Sequence, residues 1–147
     1  MKRFLILLVV VGSFAACKSN DKKSTASPLS VEEKEKAIAD TANFTTIEWI
    51  DPVKKALGKL KKDETIEISY RFKNAGTKNL VIENVTASCG CTIPEKPEKA
   101  FAPGEEGVIK AKFNGSGQGT ILKQITVTAN TKPQKQHFLT FTGDLPE

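Results

Sequence analysis

The sequence of 147 residues is poor in the groups that most enzymes need. It holds one histidine, His137, and no serine set in a nucleophile elbow, so a hydrolytic triad has no base and no nucleophile. Its only cysteines are Cys17, Cys89 and Cys91. A closed structural zinc site takes four ligands, and Cys89, Cys91 and His137 fall short without carboxylates or a second chain. Long apolar runs are also missing: residues 4–11 are apolar, but a bilayer-spanning helix needs ~20 such residues. Aromatic residues are 7% of the chain and do not interleave with the lysines, which excludes the stacking platform of a single-strand nucleic-acid binder. No nucleic acid is expected as a partner.

What stands at the start is "MKRFLILLVVVGSFAAC": two cations at Lys2 and Arg3, an apolar stretch, then small residues. That order is a secretory leader, residues 1–16. The last four residues, "FAAC", resemble the bacterial lipobox, which implies cleavage before Cys17 and attachment of diacylglycerol and palmitate-type acyl chains to it. Lys18 follows where a retention signal would place aspartate, so by the same resemblance the anchor belongs to the outer membrane. The expected place is the bacterial cell envelope, held to the membrane by an N-terminal lipid. Cys89 and Cys91 would then sit in an oxidising compartment, where disulfides persist. The formal charge of +5 includes Lys2 and Arg3 of the leader, and the remaining lysines read as solvated surface.

Residues 17–43 form a linking segment. "KSNDKKSTASPLS" has almost nothing to bury and reads as a tether. Ser30 followed by Glu33 makes a capping box, predicting a short helix over 31–42 with a thin apolar face. "DTA", residues 40–42, resembles a bacterial O-glycan acceptor triplet, with Thr41 as the acceptor.

From residue 44 the apolar period becomes two. Ile66, Ile68, Tyr70 and Phe72 alternate with Glu67, Ser69, Arg71 and Lys73, the pattern of a strand buried on one face. Similar runs lie at "TTIEWI", "NLVIENV", "GVIKAKF", "ILKQITVTA" and "HFLTFTG", with a short segment near residues 91–93. No interior helix separates them. The expectation is an all-β domain over residues 44–147, an immunoglobulin-like antiparallel β-sandwich of about seven strands. "NGSGQGT", residues 114–120, lacks the Lys-Ser/Thr ending of a phosphate loop and reads as a hairpin connection. His137 opens the last strand and reads as an exposed or edge residue.

The stretch "NAGTKNLVIENVTASCGCTIPEKPEKAFAPGEEGVIKAKFN" resembles the bacterial domain of unknown function 1573 family. The shared elements are Asn74, Gly76, Leu80 and Ile82, then Ser88 to Thr92, then Pro103, Gly104, Glu105, Gly107, Ile109 and Phe113, and at the end Leu139, Phe141 and Gly143. The resemblance implies an immunoglobulin-like sandwich carried on secreted or lipid-anchored proteins, and no known activity.

Cys89 and Cys91 are the chemical signature of the domain. Two residues apart on an extended strand, their Cα atoms would stand ~6.5 to 7 Å apart, at the edge of disulfide reach, and Gly90 offers a bend. Three readings stay open: an oxidised turn staple, a redox pair, or a thiolate site for Cu(I). A redox pair commonly draws its low thiol pKa from a helix N-terminus, and no helix is predicted here. The expected function is a lipid-anchored, non-catalytic envelope protein that contacts another envelope protein or a glycan and needs no cofactor. The alternative is a thiol-redox or Cu(I)-handling protein using Cys89 and Cys91. The "SCGCT" and "EKPEKAFAPGEE" loops are expected to make one contact surface if they meet at one end of the sandwich.

Overall fold

The structure, a computed structural model, describes residues 30–147; the leader, Cys17 and the tether up to residue 29 lie outside the described residues. The capping box forms: Ser30 Oγ accepts from the Glu33 N–H and the Glu33 carboxylate accepts from the Ser30 N–H, starting helix α1 (Val31–Ala39). The helix stops before residue 42. Asp40 turns extended (φ −98°, ψ 115°), and its carboxylate accepts from the Ala42 N–H to cap a single 3-10 turn, Thr41–Asn43. No residue of α1 is buried, in keeping with its thin apolar face. Lys34 ties it down through its ammonium, which donates to the Glu98 carbonyl.

Eight strands follow: β1 (Ile47–Trp49), β2 (Lys54–Lys59), β3 (Ile66–Asn74), β4 (Ile82–Ala87), β5 (Thr92–Glu95), β6 (Glu106–Phe113), β7 (Gly119–Ala129) and β8 (Gln136–Leu145). They make two four-stranded sheets, β1-β3-β6-β5 and β2-β8-β7-β4. Each sheet turns its alternating apolar face inward. Ile68, Tyr70, Phe72, Ile109, Ala111 and Phe113 from one sheet meet Ile125, Val127, Leu139 and Phe141 from the other, all essentially inaccessible to water. The fold is thus the expected immunoglobulin-like sandwich.

Three details differ from the pattern reading. Strand β2 was not visible in "KKALGK", because lysines flank its two inward residues, Lys55 and Leu57, and Gly58 at φ 71° breaks the register. It joins β8 in parallel, Lys54 opposite Thr140, making that sheet mixed; every other strand pair among the described residues is antiparallel. The glycine loop after β6 is not a hairpin connection: β6 and β7 belong to different sheets, so the loop carries the chain across the sandwich. Gly115 sits there at φ 74°, and a Cβ on it would press to 2.6 Å from the Glu64 carbonyl oxygen.

Candidate functional site

The two ends of the sandwich are built differently. At the end where α1 enters, two asparagines with no exposed surface organise the loops. Asn74, closing β3, accepts from the Thr45 hydroxyl and the Gly76 N–H, and donates to the Lys78 and Phe101 carbonyls. Asn130, just after β7, accepts from the Val81 N–H and donates to the Asn43 and Asn79 carbonyls. Burying an amide is favourable only when its donors and acceptor are met, and here they are. Sequence pattern gave no sign of this network, since a strand-ending Asn reads as an ordinary turn residue.

His137 belongs to the same end and is buried, contrary to its reading as an exposed or edge residue. It faces inward on β8 opposite Val127, edge-on to Trp49 at 6.0 Å. The Thr131 hydroxyl gives its proton to the Gln134 carbonyl and lies 2.8 Å from His137 Nε2, so Nε2 carries the ring proton and donates to Thr131. Burial holds the imidazole pKa below its usual value.

The opposite end carries the cysteines. Between β4 and β5 the chain leaves one sheet for the other, and Cys89 and Cys91 are joined there in a disulfide with Cα atoms 5.3 Å apart. This is shorter than an extended segment allows. The bend is closed by the Thr92 N–H donating to the Cys89 carbonyl at 3.3 Å, and is anchored on both sides. Ser88 N–H donates to the Gln124 carbonyl of β7, and the Cys91 carbonyl accepts from the Asn114 N–H beyond β6. Gly90 lies outside the left-handed region and a Cβ on it would meet nothing, so its backbone freedom is not what permits the bridge. A disulfide spanning so few residues constrains little of the unfolded chain, about 1.6 kcal/mol by loop-closure entropy against about 4.7 for a 100-residue loop. Both cysteines are half-buried; Cys91 packs on the core and Cys89 Sγ lies 3.8 Å from the Thr92 hydroxyl.

His137 therefore lies at the hairpin end of β7–β8, while the cysteines follow the far end of β4, whose Ala87 pairs with Ile125 midway along β7. Among the described residues no cluster of three or more His, Cys, Asp or Glu could hold a metal ion. The "EKPEKAFAPGEE" loop does not join "SCGCT" either. β5 and β6 run antiparallel, with Thr92 opposite Phe113 and Glu95 opposite Lys110, so this loop springs from the far end and lies near α1. Thr41 is exposed at the start of the 3-10 turn, at the α1 end.

The outer faces of the two sheets also differ. On β3, β5 and β6 most outward side chains are charged, and two ion pairs cross between strands, Lys110 with Glu67 at 3.5 Å and Lys112 with Glu95 at 3.1 Å; Ile93 and Val108 stand among them as exposed apolar side chains. At the rim Asp51 receives Arg71 at 2.8 Å and Lys55 at 3.1 Å, which holds its carboxyl at about 2. On β4, β7 and β8 the outward residues are mostly uncharged, with Asn84, Thr86, Leu122, Gln124, Thr126, Thr128, Phe138, Thr140 and Thr142; charge enters at the rim, through Asp144, which accepts from the Thr120 hydroxyl, and through Lys54 of β2 opposite Thr140. Within this face Leu122 is 68% exposed and Phe138 53%.

The family described as "Protein of unknown function (DUF1573)" matches residues 41–145. The chain belongs to this family. No curated protein matches it. Among solved structures, a protein of unknown function from Porphyromonas gingivalis W83 superposes with a TM-score of 0.62 at 16% identity, covering 72% of this chain and 49% of that one. The ASH/PapD-like domain of human CEP192 gives 0.55 at 13% identity, over 71% of this chain and 87% of that domain. The YadV chaperone gives 0.50 at 13% identity, over 69% of this chain and 52% of that one. At such identities the likeness is one of fold. This chain spans about half the length of the Porphyromonas protein and of the chaperone.

The family pattern gains physical meaning from the geometry. Asn74 and Gly76 build the buried loop lock, since Gly76 approaches Thr45 too closely for any side chain. Gly104 turns at φ 82°, the Glu105 carboxylate accepts from the Ala102 N–H, and Gly107 gives room to the rings of Phe72 and Phe101. Leu139 and Phe141 fill the core, and Gly143 lets Leu60 pack on β8. Each of these motif residues has a packing or hydrogen-bonding duty, whereas Gly90 touches nothing.

Proposed function

We propose that the protein is a lipid-anchored, non-catalytic module of the bacterial outer membrane that holds an envelope protein or glycan against its threonine-rich sheet face. The observation that carries this is the contrast between the two outer faces. Both faces carry two exposed apolar side chains, but Ile93 and Val108 are set among ion-paired charges, while Phe138 and Leu122 are set among threonines, Gln124 and Asn84, which offer hydroxyl and amide groups. Leu122, opposite Thr142, and Phe138, opposite Thr126, flank the Gln124–Thr140 pair, which sets two apolar contact points about a polar centre. Hydroxyls and amides suit a neutral glycan or a polar peptide, and an aromatic ring gives either one a flat contact.

The polarity of the sandwich supports the anchoring. The chain enters at the Asn130 end, so a lipid on Cys17 would turn that end to the membrane and leave the disulfide end pointing away. Thr41, beside the point of entry, would be open to glycosylation. The immunoglobulin- and PapD-like fold is compatible with an interaction role. The test replaces Phe138 and Leu122 together by serine in the full chain and compares retention of the protein in partner-containing complexes from solubilised envelopes. The reading expects the complex to be lost while folding and membrane attachment persist; an unchanged complex overturns it.

A further inference from the structure

We propose that the Cys89–Cys91 disulfide is an exchange site that accepts two electrons from a dithiol of another envelope protein. The crossing from β4 to β5 is already closed by the Thr92-to-Cys89 hydrogen bond and pinned to both sheets through Ser88 and Asn114. The bridge spans a sequence separation of only two, so it restrains neither sheet against the other and adds little to the fold. It also lies outside the closed core: both cysteines are half-buried, and the residue between them is a glycine over which nothing packs.

A site for exchange needs an accessible sulfur, room for an incoming thiol and a frame that survives reduction. Gly90 gives the room, since even a Cβ there would meet no neighbour. The hydrogen bonds give the frame. Thr92 gives a further feature: its residue is 4% exposed, yet its hydroxyl lies 3.8 Å from Cys89 Sγ, placed to donate to that sulfur when it carries charge. Hydrogen bonding to the charged form favours a thiolate. A helix N-terminus is thus replaced by one hydroxyl, which makes Thr92 a positioning residue for the reduced pair.

The chemistry balances without a cofactor. A thiolate of the partner dithiol attacks one sulfur of the bridge, forming a mixed disulfide, and the other sulfur leaves as a thiolate and takes up a proton. The partner's second thiol, losing its proton, attacks the mixed disulfide and releases the remaining cysteine, which is protonated in turn. The partner ends as a disulfide and this chain as two thiols.

The experiment uses the full chain, purified oxidised in mild detergent, with dithiothreitol as the dithiol probe at graded ratios of its reduced and oxidised forms. Maleimide trapping and intact mass count the thiols, and the fluorescence of Trp49 follows thermal unfolding. The proposal expects conversion to the two-thiol state under native conditions, a reduced protein that still unfolds cooperatively with its midpoint lowered by a few degrees, and reduction slowed several-fold in Thr92→Val at unchanged midpoint. The Cys91→Ser variant, which keeps the Cys89 thiol, is expected to form a one-to-one mixed disulfide with a CxxS peptide whose cysteine is activated as its thionitrobenzoate disulfide, releasing thionitrobenzoate. A bridge that resists dithiothreitol until the chain is unfolded, a reduced chain without a cooperative transition, or a Cys91→Ser variant inert to the peptide overturns the proposal. Should Thr92→Val leave the rate unchanged, the role given to its hydroxyl falls.

Discussion

A Cβ on Gly76 would stand 2.0 Å from the Thr45 hydroxyl oxygen, and that same hydroxyl donates to the Asn74 side chain at 2.8 Å. The loop between β3 and β4 is therefore locked by contact and by hydrogen bonding at one point. Gly76→Ala forces Thr45 and the Thr46 N–H away and is expected to cost about 2 kcal/mol. Asn74→Ala strands the Thr45 hydroxyl and the Lys78 and Phe101 carbonyls, and is expected to cost about 3 kcal/mol. Urea midpoints at constant m-value check both.

Two glycines of the family pattern should respond to a different extent. On Gly107 a Cβ would lie 2.4 Å from the rings of Phe72 and Phe101, which are packed edge to face at 4.9 Å and cannot both retreat. Gly107→Ala is expected to destabilise by about 2 to 3 kcal/mol. Gly90→Ala meets open space and should change stability by less than about 0.5 kcal/mol. Thermal denaturation of the pair tests whether "SCGCT" is a packing element.

His137 predicts an acid-sensitive fold at mild pH. Its folded pKa is lowered by burial, so the neutral ring is the folded form and the unfolded chain binds a proton first, near pH 6.5. Stability is full above that value and declines as pH falls below it, by at most about 1.4 kcal/mol per pH unit. His137→Gln should flatten the dependence between pH 7 and 5. A separate loss belongs to Asp51, whose pairing with Arg71 and Lys55 survives until pH falls from about 4 toward about 2. Thermal midpoints across both windows separate the two groups.

Tyr70 is the only tyrosine, so its ionisation can be followed by ultraviolet absorbance without interference. Burial pushes its hydroxyl up to about 12, and that hydroxyl donates to the Thr140 carbonyl across the sandwich. An absorbance titration of the folded protein should show a midpoint near that value, falling toward about 10 in urea. Because the folded pKa is the higher, stability is lost as pH rises past about 10.

Much of the sandwich was legible because alternation over Ile66–Asn74 and Gly119–Ala129 leaves few other ways to bury those side chains. Strand β2 was not, because a lysine-rich edge strand carries almost no alternation signal and its parallel pairing depends on where β8 lies. The capping box announced α1, but the Asp40 cap that ends it early looks like any helix acid until its carboxylate is seen on Ala42. For the candidate site, the cysteines were plain in the sequence while their surroundings were not. Whether "SCGCT" meets the proline-rich loop depends on the direction of β5 beside β6, a long-range fact that separates them. The threonine-rich face is not legible in the sequence because its residues come from separate strands, and only pairing such as Thr126 with Phe138 assembles them.

The central claim is that one outer face is free for a partner and the other is not. A photo-crosslinking residue placed at Leu122, in living cells, reports on the threonine-rich face, and the same residue at Lys110 reports on the ion-paired one. The account predicts a discrete adduct from position 122, abolished by Phe138→Ser, and none from position 110. Equal labelling from both positions, or an adduct from 110 alone, would contradict it.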